Sequence, residues 1–564
     1  MKSQKKFITT VLGAIAVYLI AITATADVTK GIGLKDNKIQ PEKEITKISK
    51  EEEKEIAKSS IDKTTTEENN ISTPDTKDVN SVKAVSPEPV NTETPKTEIE
   101  TKEEEPVKEE IAQEVSNNIN YGFTNKLKTS LFSDNKGTKV LDTLRKATRV
   151  EILEEKQIET KKESKIKKKD GTFEIKVTAQ ITNWTKVKYN KNLKTYIGWI
   201  RSENISKDIH KVSPENLKNI SFKPVEKINY PDNPKRDNVR GVYLTVYSAA
   251  SEKKMNEMIA LAKRTPINAF VIDVKDDGGK LLFKTEAEKK YLGVSFDKYP
   301  VNDIQKFIQK LKDNNIYVIA RIVSFKDPRY AKKNPDKAII KLADGKPYTN
   351  SDGVIWVSAH DRNLWEYNVA VAKEAAKAGF NEIQFDYVRF PASNGGKLDK
   401  QLNYRNTNGE TKPETIAKYL KYARKELSPL GVYIAADVYG QVGSSSDDMG
   451  LGQHWEVIAN EVDFICPMAY PSHYGKGVYG LSVPDANPYT TIYRSTLDGV
   501  NRNNNIDYPA NVRPWLQAFT AKWVKGHINY GKNEIDAQVK ALKDLGIDEY
   551  LLWSPSNRYG IVEK

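Results

Sequence analysis

The sequence predicts an α/β protein whose main part is a (β/α)8 barrel over residues 237–564. A small all-β barrel at 120–208 precedes it, and a disordered linker precedes that in turn. Three observations predict this order. Eight short apolar runs alternate with amphipathic helical patterns through the C-terminal part, which means a parallel sheet covered on both faces. Short alternating runs bounded by turn residues fill the part before it. Residues 27–119 contain no aromatic residue and no Cys, so they cannot bury enough apolar surface to offset the entropy of ordering.

The chain opens "MKSQKKFITTVLGAIAVYLIAITATAD", with a lysine-rich start, an apolar core and the small-residue "ATA" before Asp27. That is the pattern of a secretory signal peptide over residues 1–26. An uncleaved membrane anchor is the alternative, because the run from Phe7 to Ala26 approaches the roughly 20 residues that span a bilayer. Either reading predicts export. Cys466 is the one cysteine, so no internal disulfide forms. Export without disulfides, in a chain rich in Lys, Asn and Ile, fits a Gram-positive surface, secreted or wall-associated.

The net charge of +13 would draw such a protein to anionic wall polymers. Nucleic acid is not the expected partner, because the basic residues are scattered. Their densest cluster, "KKESKIKKKDG" at 161–171, reads as the tip of a hairpin. The linker at 27–119, rich in Lys, Glu, Thr and Pro, reads as a spacer that holds the rest of the chain away from the membrane.

Within 120–208 the runs "RVEIL", "WTKVKY" and "IGWIRSENI" resemble bacterial SH3-like domains. The resemblance implies a module that binds cell-wall peptide or glycan; a spacer barrel with Trp184 and Trp199 in its core is the alternative. Residues 209–236 read as a connector.

The apolar runs of the last part are "VRGVYLTVYS" (239–248), "AFVIDVKDD" (269–277), "IYVIARIVSF" (316–325) and "EIQFDYVRFP" (382–391). "VYIAADVYG" (432–440), "VDFICPMAYP" (462–471), "VRPWLQAF" (512–519) and "EYLLWSPSN" (549–557) follow. Eight strands with seven interleaved helices suggest closure into a barrel. A doubly wound open sheet would carry a Gly-rich phosphate loop after its first strand, and "LTVYSAAS" is not one.

Barrels of this kind place their active site at the carboxyl ends of the strands. Alternation along 382–391 puts Glu382, Gln384 and Asp386 on the inner face, with Asp386 near the top and Phe385 and Tyr387 outward. Strand two places Asp273 and Lys275 on one face, with Asp276 and Asp277 in the turn beyond. Arg321 ends strand three, Asp437 strand five, Tyr470 and then His473 strand six, and Gln517 strand seven. Carboxylates ending three of the eight strands point to a site.

The chemistry follows by elimination. The five histidines, His210, His360, His454, His473 and His527, are dispersed, unlike a zinc ligand set. Cys466 lies inside strand six and reads as a small core residue. No phosphate-loop or dinucleotide fingerprint appears, and no cofactor is expected. Two carboxylates flanking a glycosidic bond need none. The long loops after strands three, four and six carry Trp356, Tyr474 and Tyr479, the loop after strand seven adds Trp523, and Trp515 and Trp553 end strands. Aromatic faces at a wet cleft suit the apolar faces of sugar rings, and a place in the core is the alternative for several of them, Trp515 above all.

"GVYLTVYSA", "AFVIDVKDDGG", "WEYNVAVAKEAAKAGFNEIQFDYVRFP" and "CPMAYPSHY" resemble the bacterial glycoside hydrolase family with a (β/α)8 barrel, over about 237–564. The resemblance implies a sugar-cleaving enzyme acting on a polysaccharide. At "WVSAHD" (356–361) the chain departs from the Asp-Pro expected after the Trp, so no role carries over to that loop. In sugar-cleaving barrels catalytic acids commonly end strands four and five, which assigns Asp386 as nucleophile or base and Asp437 as general acid. Asp273, Lys275, Asp276, Tyr470, His473, Gln517 and Trp553 are the expected substrate contacts, with Asp273 or Asp276 replacing one of the catalytic pair as the alternative. Arg321 and Arg389 are expected to pair with a carboxylate or bind an acidic sugar. A non-catalytic carbohydrate-binding barrel and a wall-bound scaffold are the competing readings.

Overall fold

The computed structural model describes residues 119–350, 352–393 and 395–563. The expected signal peptide or anchor at 1–26, and the linker up to residue 118, lie outside the described residues.

The N-terminal module is one antiparallel sheet of seven strands: β1 (Tyr121–Thr124), β2 (Lys128–Phe132), β3 (Val140–Arg145), β4 (Arg149–Lys167), β5 (Phe173–Lys191), β6 (Lys194–Arg201) and β7 (Ile205–Ser206). Their order is β3-β2-β6-β5-β4-β1-β7. Leu131, Leu144, Val150, Val187, Tyr189 and Ile200 form its core. Trp184 is buried beside them, its ring edge-on to Phe132 at 5.6 Å. β4 and β5 pair far beyond that core as a solvent-exposed ribbon. Most of the lysine-rich stretch 161–171 is therefore strand, and the turn begins only at Lys168. Arg149 fastens the module to the barrel through an ion pair with Asp507 at 2.6 Å. In the connector, Leu217 and Ile220 pack on Val457 of the barrel.

The barrel strands are β8 (Arg240–Leu244), β9 (Ala269–Lys275) and β10 (Tyr317–Val323). After the short β11 (Ile340–Lys341) come β12 (Glu382–Asp386), β13 (Leu402–Asn403), β14 (Tyr433–Tyr439) and β15 (Phe464–Met468). β16 (Asn511–Val512), β17 (Trp515–Gln517) and β18 (Tyr550–Trp553) complete the set. β11 and β13 pair with each other in the loops. The rest form a parallel ring in the order β14-β12-β10-β9-β8-β18-β17-β15, and β15 returns to β14 to close it. β16 and β17 share the seventh position, interrupted at Pro514, which has no N–H to give the ladder.

All eight expected strands are present, but most end earlier than their apolar runs. The first run continues to Ser248, yet Thr245 accepts a hydrogen bond from the Ser248 N–H and starts a helix at Val246. Helices between the strands are capped in the same manner. Thr411 and Glu414 form a reciprocal capping box before Lys412–Leu427, and Gly379 at φ 103° ends Arg362–Ala378 just ahead of β12.

Alternation then sorts the core into two layers. Val242, Phe270, Ile272, Phe385 and Val438 face the helices. Ala269, Val271, Ile319, Ala435, Cys466 and Leu551 fill the barrel interior. Above that inner layer the same inward positions become polar, which is where the site lies.

Candidate active site

Arg321, one step above Ile319 on β10, is the centre of the upper end. Its Nη1 donates to Asp273 Oδ1 at 2.5 Å, and its Nε and Nη2 donate to Asp386 Oδ2 at 3.0 and 2.6 Å. Nη2 also reaches Asp277 Oδ1 at 3.2 Å. One planar fork therefore ties strands two, three and four together, a geometry that suits arginine and not lysine. Tyr243 on β8 donates its hydroxyl to Asp273 Oδ2 at 2.6 Å. Burial pushes Asp273 up to about 7 even with Arg321 beside it. Burial also works to raise Asp277, but the charges of Lys326 and Arg321 outweigh it and hold that carboxyl below the usual range.

Asp386 and Asp437 stand on neighbouring strands. β12 and β14 are in register up to the pair Phe385 and Ala436, so the next rung sets the two carboxylates side by side. Asp386 Oδ1 accepts the N–H of Tyr387, whose φ of 48° turns the chain sharply out of the strand. Asp437 makes no ion pair among the described residues; its Oδ1 accepts Trp515 Nε1–H at 2.6 Å. Burial, and then the charge of Asp386, push the Asp437 carboxyl well above its ordinary range. Its surroundings therefore favour the protonated form.

Around the other half of the mouth runs a wall of rings. Tyr470 lies 5.4 Å from Trp553 and 5.2 Å from His473, and Phe519 packs on Trp553 at 5.2 Å and stacks on Trp523 at 5.9 Å. Burial lowers His473 to about 3, so it stays neutral. Trp515 links this wall to Tyr243 at 6.5 Å. The structure thus brings Asp273, Arg321, Asp386, Asp437, Tyr470, His473 and Trp553 to one end of the barrel.

Four expectations need correction. Lys275 does not face the substrate side. A bulge between β9 and β10 moves Ile322 opposite Lys275, which breaks the alternation after Asp273. Lys275 is consequently buried among the helices, ion-paired to Asp327 at 2.7 Å and 5.2 Å from the Tyr367 ring. Gln517 is fully buried, with both amide hydrogens and its oxygen engaged. Its Nε2 donates to Asp485 Oδ1 and the Phe519 carbonyl at 2.9 and 3.1 Å, and its Oε1 accepts the Ser472 N–H at 3.0 Å. It braces the loops behind the wall.

Arg389 is not the partner of Asp386, because the turn at Tyr387 carries it away and Arg321 takes that place. Trp356 is no open platform; it is completely buried, with Nε1–H donated to Asn350 at 2.8 Å. Asp276 keeps its place in the loop after strand two, where its Oδ1 accepts the N–H groups of Gly278 and Lys280. Burial raises it to about 6.

Sequence reasoning missed Tyr243 as a member of the site, and it placed Asp277 and Trp515 near the mouth without the bonds they make to Arg321 and Asp437. Tyr243 shares the inward parity of Gly241 on β8, a signal present in the alternation. The Trp515 bond to Asp437 spans 78 residues and leaves no local signal. Among the described residues no group of three or more His, Cys, Asp or Glu side chains is arranged to hold a metal ion.

A family model described as "Putative glycosyl hydrolase domain" matches residues 241–559. Comparison with curated proteins finds no match. Among solved structures, a hypothetical protein from Ruminiclostridium thermocellum ATCC 27405 is 34% identical, covering 37% of this chain and 98% of that one at TM-score 0.31. The PgaB (BpsB) glycoside hydrolase domain from Bordetella bronchiseptica is 13% identical, over 58% of this chain and 98% of that one at TM-score 0.40. The spore cortex-lytic enzyme SleL from Bacillus megaterium QM B1551 is 12% identical, over 58% and 73% at TM-score 0.35. Membership rests on the family model, whose matched span is more than half of the chain and contains the whole upper end of the barrel. The chain belongs to that glycosyl hydrolase family.

Proposed function

We propose that the protein is an exported glycoside hydrolase that cleaves a cell-wall or other extracellular polysaccharide by two-carboxylate catalysis. The observation that carries it is the pair on neighbouring strands: Asp386 faces the guanidinium of Arg321, while Asp437 makes no ion pair among the described residues and burial raises its carboxyl well above the ordinary range. These are the unlike environments that acid and nucleophile need. Asp437 gives its proton to the leaving oxygen as the glycosidic bond breaks, and Asp386 attacks the anomeric carbon. Deprotonated Asp437 then takes a proton from the water that releases the sugar.

Adjacent parallel strands lie about 4.8 Å apart. Side chains on one rung at that spacing suit the roughly 5 Å carboxyl separation of retaining enzymes better than the wider gap of inverting ones. Tyr470, Trp553 and Phe519 offer ring faces to the sugar, and the Arg321 cluster holds Asp386 in place. Export and wall attachment are supported by the signal-like start, the absence of disulfides and the positive charge. The all-β module, by its likeness to SH3-like domains, is proposed to hold the enzyme at the wall.

The test is release of reducing ends from purified wall glycans by the full chain, with proton NMR to follow the first anomer formed. Release with retained configuration, abolished in Asp386→Asn, is the expected result. Binding without release by the wild type would overturn the catalytic reading in favour of a carbohydrate-binding barrel.

A further inference from the structure

Among the described residues five cationic side chains are buried in the barrel: Lys275, Arg321, Lys326, Arg389 and Arg513. Four of them meet carboxylates. Lys275 has Asp327, Arg321 has Asp273, Asp277 and Asp386, Lys326 has Asp352 and Asp277, and Arg513 has Glu382 and Glu549. Arg389, only 5% exposed, makes no ion pair among the described residues. Its guanidinium lies 4.9 Å from the Trp356 ring, 4.9 Å from Tyr387 and 4.7 Å from Tyr439. Of its five N–H donors, one hydrogen bond is made, from Nη1 to the Phe390 carbonyl at 3.0 Å.

An unpaired buried charge is costly, and three aromatic faces offset only part of that cost. They also fix the plane of the fork. None of its nitrogens is both closed off from solvent and without a partner, so the remaining donors face accessible space. The position matters equally. Arg389 follows Asp386 by three residues, and Tyr439, one wall of its box, follows Asp437 by two. A planar, preorganised, charge-bearing fork just past the ends of the two strands that carry the carboxylates lacks one thing, an oxyanion.

We infer that Arg389 determines specificity by gripping an oxyanion substituent, carboxylate or phosphate, on a sugar bound next to the cleaved bond. The substrate is then an acidic polysaccharide. This rests on the proposed catalytic pair for its place in the site, but the binding itself needs neither Asp386 nor Asp437.

The experiment titrates the full chain with three probes that share one ring: glucose, glucuronate and glucose 6-phosphate, followed by calorimetry at low and at physiological salt. The expected result is at least ~10-fold tighter binding of one anion over glucose, weakening with salt. Tighter glucuronate assigns a carboxylate, and tighter glucose 6-phosphate assigns a phosphate. Arg389→Gln removes the preference, Arg389→Lys keeps part of it, and Asp386→Asn keeps all of it. The inference is overturned if glucose binds the wild type as well as both anions do, if neither anion binds, or if a folded Arg389→Gln keeps the preference. Should that variant fail to fold, the wild-type comparison and Arg389→Lys decide. Reducing-end release from a neutral glycan, with no anion preference, would leave the catalytic reading standing and remove this one.

Discussion

At the lower end of the barrel Arg513 meets Glu382 at 2.8 and 2.9 Å and Glu549 at 3.1 Å, and Tyr317 donates to Glu382 at 3.2 Å. At the upper end Arg321 meets Asp273, Asp277 and Asp386 at 2.5, 3.2 and 2.6 Å, and Tyr243 donates to Asp273. Each cluster is one arginine, a tyrosine and two or three carboxylates inside the same ring of strands. The lower one is closed at its centre: the Arg513 and Glu382 side chains have no exposure at all, and only the outer Glu549 keeps a little. The upper one keeps a little exposure at Arg321, Asp386 and Asp277, and beside it Asp437 makes no ion pair among the described residues. The same residue types therefore make a plug at one end and a site at the other. What separates them is access and the uncompensated carboxyl, not the presence of buried charge.

The largest expected effects test that contrast directly. Asp386→Asn should cut hydrolysis at least ~10³-fold, about 4 kcal/mol of barrier, while leaving the midpoint of urea unfolding almost unchanged. Arg513→Met should do the reverse. It strands Glu382 and Glu549 without a counter-charge and should cost about 3–5 kcal/mol of stability, seen as a lowered urea midpoint, with kcat little changed in the fraction that folds. If Arg513→Met abolished activity in fully folded protein, the division into plug and site would be wrong.

A smaller effect separates the ends by pH. Asp273 has a folded value of about 7, above the ordinary 3.8, so it favours the fold while protonated. That contribution is fully present below about pH 4 and is lost as pH rises through about 7, on the order of 4 kcal/mol in all. Asp273→Asn, which cannot titrate, should flatten the fall of Tm between pH 4 and 8. An unchanged slope would mean that Asp273 stays ionised against Arg321 throughout.

The apolar runs were enough to read eight strands and their order, because each strand is covered on both faces and must be apolar nearly end to end. Parity along those runs also brought Asp273, Arg321, Asp386 and Asp437 to one mouth. What parity could not reveal is where alternation stops. The bulge beside Asp273 sends Lys275 to the helix side, and the left-handed turn at Tyr387 takes Arg389 away from Asp386. Both are backbone events at strand ends, decided by neighbouring strands and not by the run itself. Contacts between distant segments were equally silent. Gln517 ended a strand as an inward residue should, yet Asp485 and Ser472, far off in sequence, take one of its donors and its carbonyl oxygen, and the Phe519 carbonyl takes the other donor.

The smallest effect concerns Trp515, the indole that touches the proposed acid. Its Nε1–H bond to Asp437 favours the charged carboxylate, and so works against the burial that raises the group. Trp515→Phe keeps a large ring in the interior but removes that donor, so Asp437 should hold its proton to higher pH. In hydrolysis by a general acid, the alkaline limb of the kcat profile should then move upward, by about one pH unit or less, with the plateau reduced less than ~10-fold. A downward move of the alkaline limb would mean that the indole supports the neutral acid instead. No move at all would mean that the titrating acid is a different carboxyl, with Asp273 the next to test, since it too is raised and lies one strand beyond Arg321.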